Sequence, residues 1–374
     1  MAPQSPASDV DDLIASLLRG DDLDRRAIKA CGASALHEAA TAHGVLPLVA
    51  DRLALAPELP VDLRELFLED LHRAIAIDMA TEAELIRMFK AFARRRVSLL
   101  LFKGSHLAYT HYARSELRAR IDSDILIDRA HRDVAASIFV DDLGYEAHVT
   151  PSGDLSATQT TYVKYADEVA VHQVDLHWRL ASPQAFAHAL TFEELLAQAE
   201  PLPALGPWAR VPGGVHALLI ACLHRVAHHH DEPDTFRWIY DVHLIASAFR
   251  PIDWARFADL ALERELSAIC LDSVLKASRW FGTVVPPAFA RDARFARAKE
   301  VEPTAAYLLG RPKARALVDD LRALPGWADR RRLLGEHLFP AERYMRDVYA
   351  PGSRLPLPLL YVMRALRGIV PWFR

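Results

Sequence analysis

The sequence has only three cysteines, no excess of positive charge and no long hydrophobic run, and each absence removes a class of protein. Cys31, Cys222 and Cys270 are far apart and form no Cys-x-x-Cys pair. A set this sparse and odd argues against a disulfide framework and a cysteine zinc site, and it fits a reducing compartment. The formal net charge is -4 and the pI about 6.5. A nonspecific nucleic-acid binder carries a basic footprint, which the whole chain lacks; a local patch stays open. No apolar run approaches the ~20 residues that span a bilayer. The opening residues are acidic, which speaks against a signal peptide. The expected location is therefore the cytoplasm. The tail "LPLPLLYVMRALRGIVPWFR" is apolar, with Arg364, Arg367 and Arg374 spaced through it and Trp372 and Phe373 near its end. It either lies on a membrane surface or docks on the body as a terminal helix.

What is present is the composition of a soluble globular protein: 374 residues, 51% hydrophobic and 25% charged. That length can bury a sizeable core and points to two or three structural units. From Val10 to about Arg96, apolar positions recur three and four apart, so this region reads as helices, with a helix or helix pair over 61–96. "VSLLLF" then reads as a buried strand, and "KGS" interrupts it. A short helix is expected over 106–117 and a strand at "RIDSDILI". Its alternation puts Asp122, Asp124 and Leu126 on one face and Ile121, Ser123, Ile125 and Ile127 on the other. "AHRDVAASIFVDDLGY" reads as a helix closed near Gly144. "YEAHVT", "TTYVKYA" and "VAVHQVDLHWRL" read as strands. "PLPALGPWARVPGG" marks a linker or long loop, and a helical period then runs to the end. The expected fold class is α+β, in three parts: an N-terminal helical subdomain over 1–96, a small mixed α/β core over 97–200 and a C-terminal helical subdomain over 201–374.

Two aspartates side by side on one strand face repel each other unless a cation or basic groups lie between them. Oxygen ligands of this kind suit a hard divalent ion such as Mg²⁺. The plain alternative is a wet edge strand with both acids in solvent. Gly104 and Ser105 sit between an apolar strand and a helix. A glycine there lets a ligand approach the backbone, and a helix N-terminus offers free N–H groups to an anion. Ser105 could instead cap that helix. Lys103 adds a positive charge. Asp175 shares a face with His177 and Arg179 on a later strand, and it offers a third acid. Three carboxylates around two metals are a kit for in-line attack on a phosphoryl group.

This order resembles the nucleotidyltransferase superfamily that includes DNA polymerase β, the kanamycin-type antibiotic nucleotidyltransferases and the minimal nucleotidyltransferases. It is more closely similar to a largely uncharacterised bacterial branch. There, a lysine precedes the glycine motif, as in "FKGSHLAY", and an arginine precedes Asp-x-Asp by four positions, here Arg118. A "VDLHW" segment carries the third acid, and a His-rich stretch precedes Arg-x-x-x-Asp, here Arg237 to Asp241. The resemblance implies a polymerase β-like core with Asp122, Asp124 and Asp175 as catalytic and metal-binding residues. Lys103, Gly104, Ser105 and Arg118 would bind the nucleotide. Mg²⁺ or Mn²⁺ would be the cofactor. An NTP would be co-substrate, ATP the expected one, with a hydroxyl-bearing small molecule, peptide or protein as acceptor. The competing reading is a non-catalytic, antitoxin-like regulatory module that binds nucleotide or a partner through the same cleft. His177, His224, His228, Arg237 and Asp241 are candidates for acceptor contact or support. His224, His228 and Asp241 also invite a histidine-metal phosphohydrolase reading. Arg225 with His230 loosely matches a helical ribonuclease motif. The plain alternative for the whole cluster is a polar helix face packed on the core.

Overall fold

The computed structural model describes residues 6–148, 153, 155–187, 189–227, 234–309, 313–351 and 355–372. The N-terminal helical period becomes five helices: α1 Pro6–Arg19, α2 Arg25–Cys31, α3 Ala33–Ala42, α4 Leu46–Ala54 and α5 Val61–Arg94. α5 is one continuous helix. Its buried Phe67, Leu71, Leu85, Met88, Phe89 and Phe92 recur at helical spacing, so one stripe faces inward throughout. The chain leaves it through Arg96, at a positive φ of 56°.

Five strands follow: β1 Leu99–Leu101, β2 Ser123–Ile127, β3 Glu146–Ala147, β4 Gln159–Ala166 and β5 Val169–His177. They form one mixed sheet in the order β1-β2-β5-β4-β3. β2 and β5 run parallel, and the other neighbours are antiparallel. Asp167 and Glu168 turn the β4–β5 hairpin, with φ of 48° and 64°. Positive φ at both turn residues matches the twist of the strands on either side. Alternation then sorts the side chains. Ile125, Ile127, Val174 and Leu176 pack against α5 through Leu85, Met88, Phe89 and Phe92. Leu126 lies on the opposite face and joins a second core with Leu100 and Phe102. The acids of β2 and β5 belong to this second face.

That core is larger and does not respect the chain's thirds. It joins Ile14, Leu36, Val49 and Phe67 to Leu218, Ile239, Phe257 and Val274. The latter come from α9 Gly214–Ala227, α10 Phe236–Ser247, α11 Pro251–Glu263 and α12 Ser267–Phe281, after the short α6 Lys103–Thr110, α7 Arg132–Ser137 and α8 Phe192–Ala197. Helices before and after the sheet therefore bury their apolar stripes against one another, with the free thiols of Cys222 and Cys270 among them.

Three expectations need correcting. The helix expected over 106–117 is α6, three residues earlier at its start, followed by a short 3₁₀ turn Ser115–Leu117. "KGS" is thus its first turn and no loop. The expected linker is a small hairpin, β6 Glu200–Pro201 with β7 Arg210–Val211. Its Leu202, Leu205 and Val211 bury beneath the sheet, which its proline and glycine content obscured. Of the expected "YEAHVT" strand, only β3 falls among the described residues as strand. The tail forms a helix, Leu357–Trp372, whose Leu360 packs with Met345. The side chains of Arg367, Trp372, Phe373 and Arg374 lie outside the described residues. No described helix is long and apolar enough to cross a membrane.

The segment that leads into β2 is pinned to α5 by one buried acid. Asp78 accepts a hydrogen bond from Ser115 Oγ at 2.6 Å and forms an ion pair with Arg120. Replacing Asp78 by alanine leaves the Arg120 guanidinium buried with no counter-charge, a loss of roughly 3–5 kcal/mol. Chemical denaturation of Asp78→Ala against wild type should show that loss, and Asp78→Asn should recover part of it.

Candidate active site

The parallel pairing of β2 with β5 sets Asp124 directly opposite Asp175. Neighbouring strands lie about 4.8 Å apart, so two acids on one face at one register become neighbours. His177 follows two residues later on the same face. One ligand atom from each of Asp124, Asp175 and His177 lies within 4.8 Å of the other two. Asp122 stands just before β2 and lines the same cleft of about 180 Å³. Gly104, Ser105 and Arg120 line it on the sheet side, and His224, Arg237 and Trp238 of α9 and α10 line the other. A larger hollow of about 660 Å³, bounded by Glu194, His216 and Asp253, shares none of these residues. The carboxylates gather in the smaller cleft, which makes it the candidate site.

Each acid has a different environment. Asp175 accepts hydrogen bonds from Thr161 Oγ1, at 2.6 Å, and from Gln159 Nε2, both on β4. Asp124 Oδ1 accepts from Lys103 Nζ at 2.7 Å and lies 2.8 Å from His177 Nε2. Burial alone would raise its pKa, but the Lys103 charge and the His177 hydrogen bond outweigh that and hold it well below the carboxylate range. Asp122 has no such partner. Burial, with the charges of Asp124 and Asp175, pushes it up to about 6, against the pull of Lys103 and Arg237. His177 is held low by burial and by Lys103.

The two cations that the sequence offered to phosphate are already engaged. Lys103 is 9% exposed and paired with Asp124. Arg118 makes a buried two-point ion pair with Asp241, Nε to Oδ1 at 2.8 Å and Nη2 to Oδ2 at 2.6 Å. Tyr112 also donates to Asp241 Oδ1, at 2.8 Å. The guanidinium of Arg118 lies flat against Gly104, where any Cβ would sit 3.0–3.2 Å from it. That contact is the reason for glycine there: α6 can approach the arginine only without a side chain. Ser105 is buried, and its hydroxyl donates to the Asp122 carbonyl at 3.3 Å. It therefore supports Asp122 instead of capping a helix. Arg237 is different: its Nε is buried with no hydrogen-bond partner among the described residues. Burial and the nearby Arg118 hold its pKa below the usual arginine value.

The histidine cluster separates. His224 lines the cleft and meets the Trp238 ring edge-on at 5.8 Å. His228 and His230 lie outside the described residues. Asp241 is committed to Arg118 and Tyr112, which leaves the phosphohydrolase ligand set without a free carboxylate. Arg225 is fully buried and bonded to Asp234, Asp272 and Ser273, so it forms part of the packing between α9 and α12 and gives no support to a ribonuclease site.

One supporting group escaped the sequence reading. Behind the two acids, Ser123 Oγ lies 3.0 Å from His172 Nε2 and Tyr145 OH 2.6 Å from His172 Nδ1. Tyr145 OH donates onward to Glu84 at 3.3 Å, and Lys164 clamps Glu84. The tautomer that satisfies every atom has Ser123 donating to Nε2 and Nδ1–H donating to Tyr145. Burial keeps His172 neutral, near a pKa of about 4. The available signal was a histidine on the apolar face of β5, beside Val174 and Leu176.

A family model described as an uncharacterised nucleotidyltransferase matches residues 31–282, more than half of the chain. The chain belongs to this nucleotidyltransferase family. No curated protein gives a match to the chain. Membership makes the protein a transferase and implies an NTP as substrate, and the match spans every residue of the cleft.

Asp122 carries a readable stability signature. Its pKa is about 6, well above that of an ordinary aspartate, so folding favours its protonated form. Its stabilising contribution is therefore complete below about pH 4 and lost as pH rises through 6. Thermal melts of Asp122→Asn should match wild type near pH 4 and lie above it at pH 8, by on the order of 1–3 kcal/mol.

Proposed function

We propose that this nucleotidyltransferase has a polymerase β-like core. It transfers a nucleoside monophosphate, AMP from ATP, to a hydroxyl on a small molecule, peptide or protein. The observation that carries this reading is the register that brings Asp124 beside Asp175, with Asp122 at the mouth of the same cleft. Three converging acids are costly to bury, and Asp122 has no bonded cation of its own, so the arrangement has the donor chemistry for a hard divalent ion. Asp122, Asp124 and Asp175 would hold Mg²⁺ or Mn²⁺. When bound, the ion supplies charge neutralisation at the phosphates and acidifies the attacking hydroxyl.

The chain's own groups do the rest. The backbone N–H groups of the first turn of α6, at Gly104 and Ser105, face the β and γ phosphates. Arg237 supplies the guanidinium for the phosphate tail, in the role that Lys103 and Arg118 cannot fill while paired. α9 and α10 form the wall where the acceptor lies. The acceptor oxygen forms the new bond to the α-phosphorus, the bond to the β-phosphate breaks, and pyrophosphate leaves. Positioning and charge do the catalytic work, and no covalent nucleophile is needed.

The test is transfer of label from α-³²P-ATP to acceptors in a cell extract. Asp124→Ala should lower transfer by at least about a hundredfold, as loss of an electrostatic catalytic group does. Equal labelling by wild type and variant would refute the site. Arg237→Ala should weaken ATP binding by roughly 10–100-fold, the value of a charge-assisted contact of 1.5–3 kcal/mol, with the melting temperature unchanged or raised. Calorimetry with ATP and Mg²⁺ reads this directly. ATP binding without transfer to any acceptor would favour the regulatory module.

A further inference from the structure

Lys103, Asp124 and His177 form a triangle that cannot satisfy itself. Lys103 Nζ lies 2.7 Å from Asp124 Oδ1 and 3.2 Å from His177 Nε2, and His177 Nε2 lies 2.8 Å from the same carboxylate oxygen. If Nε2 carries a proton, it bonds Asp124 and turns that N–H on the ammonium. If it carries a lone pair, it accepts from Lys103 and opposes the carboxylate. In either tautomer the other ring nitrogen, Nδ1, is buried with no partner among the described residues. His177 is 2% exposed, and Phe102 holds its ring edge-on at 5.0 Å. The imidazole is therefore fixed by packing, with Nε2 aimed at the spot where Asp124 and Asp175 also converge.

A cation at that spot resolves the conflict, because a lone pair and two carboxylates then face one positive charge. We infer that His177 is a cation ligand alongside Asp124 and Asp175, that Lys103 neutralises Asp124 when no cation is bound, and that this mixed nitrogen–oxygen set favours Mn²⁺ over Mg²⁺. Imidazole suits first-row transition ions, whereas Mg²⁺ takes oxygen donors. Lys103 borders both sets of groups: it is paired with Asp124, and it lines the cleft beside Gly104 and Ser105. Released from Asp124, its ammonium would move toward the phosphates. This inference rests on the cation-dependent reading above and extends it to a ligand beyond the three carboxylates.

The experiment is pulsed electron paramagnetic resonance of the purified protein loaded with MnCl₂, with and without ATP. The expected result is nitrogen hyperfine coupling on Mn²⁺ in wild type, absent in His177→Gln. Mn²⁺ that binds wild type without such coupling overturns the inference and leaves nucleotidyl transfer standing. No Mn²⁺ or Mg²⁺ binding, even with ATP, removes the cation-dependent reading as well. Equilibrium dialysis gives a second readout. His177→Gln should reduce the Mn²⁺-over-Mg²⁺ preference about tenfold, and an unchanged ratio counts against the inference. Lys103→Met should tighten Mn²⁺ about tenfold in the absence of nucleotide. Unchanged or weaker binding in that variant overturns the neutralising role. The wild-type spectrum decides the ligand question even where a variant fails to fold.

Discussion

Three carboxylates held in one buried cleft must be matched by positive charge, and much of the architecture around the sheet serves that requirement. Asp124 is met by Lys103 and His177. Arg118 lies against Gly104 in the first turn of α6, but its Nε and Nη2 are given to Asp241 on α10 and its Nη1 to the Ala119 carbonyl. Arg237, one helical turn before Asp241, stays available. The charge is distributed so that Arg118 is locked to Asp241, Lys103 is paired with Asp124, and Arg237 Nε has no hydrogen-bond partner among the described residues. A cleft with all its positive charge paired would have nothing to offer a triphosphate. With none paired, it would not fold around three acids.

Asp241 shows how tightly the helices and the sheet depend on each other. It sits on a helix more than a hundred residues after Arg118, yet it fixes the arginine that lies against Gly104. The first turn of α6 is therefore positioned by a residue from a distant part of the chain. The shared hydrophobic core gives the same result: residues from both ends of the chain bury together, so neither set of helices is an appendage to the sheet.

The shared face of Asp124 and Asp175 was legible in the sequence because strand alternation is a strict period of two, while Arg120 and Gln159, which also line the cleft, gave no such signal. The acids at 124 and 175 and the apolar positions beside them could be sorted by counting, whereas Asp122 and Ile121, counted into the same strand, lie before it and Ile121 is exposed. The partners of each charge could not be counted. Whether Lys103 or Arg118 was free depended on which distant acid each one met, and sequence spacing carries no information about contacts made across elements. The hairpin at 200–211 was hidden for another reason. Its turn residues were visible, but the burial of Leu202, Leu205 and Val211 is decided by the underside of a sheet not yet assembled. His172 and Tyr145 fall between these cases: a polar residue on an apolar strand face signals a buried partner without saying which.

The parallel register of β2 and β5 has a wider consequence. Asp124 and Asp175 are brought together by backbone hydrogen bonds, and these are indifferent to the side chains of the connecting segment. The roughly forty residues between the strands include Gln159 and Thr161 of β4, which hold the Asp175 carboxylate, but the register of the two acids is itself fixed by the ladder. On the proposed reading, changes in the facing helices would alter the acceptor and leave the paired acids in place. On this view the reaction is a property of the sheet, and the identity of what it modifies is a property of everything draped around it.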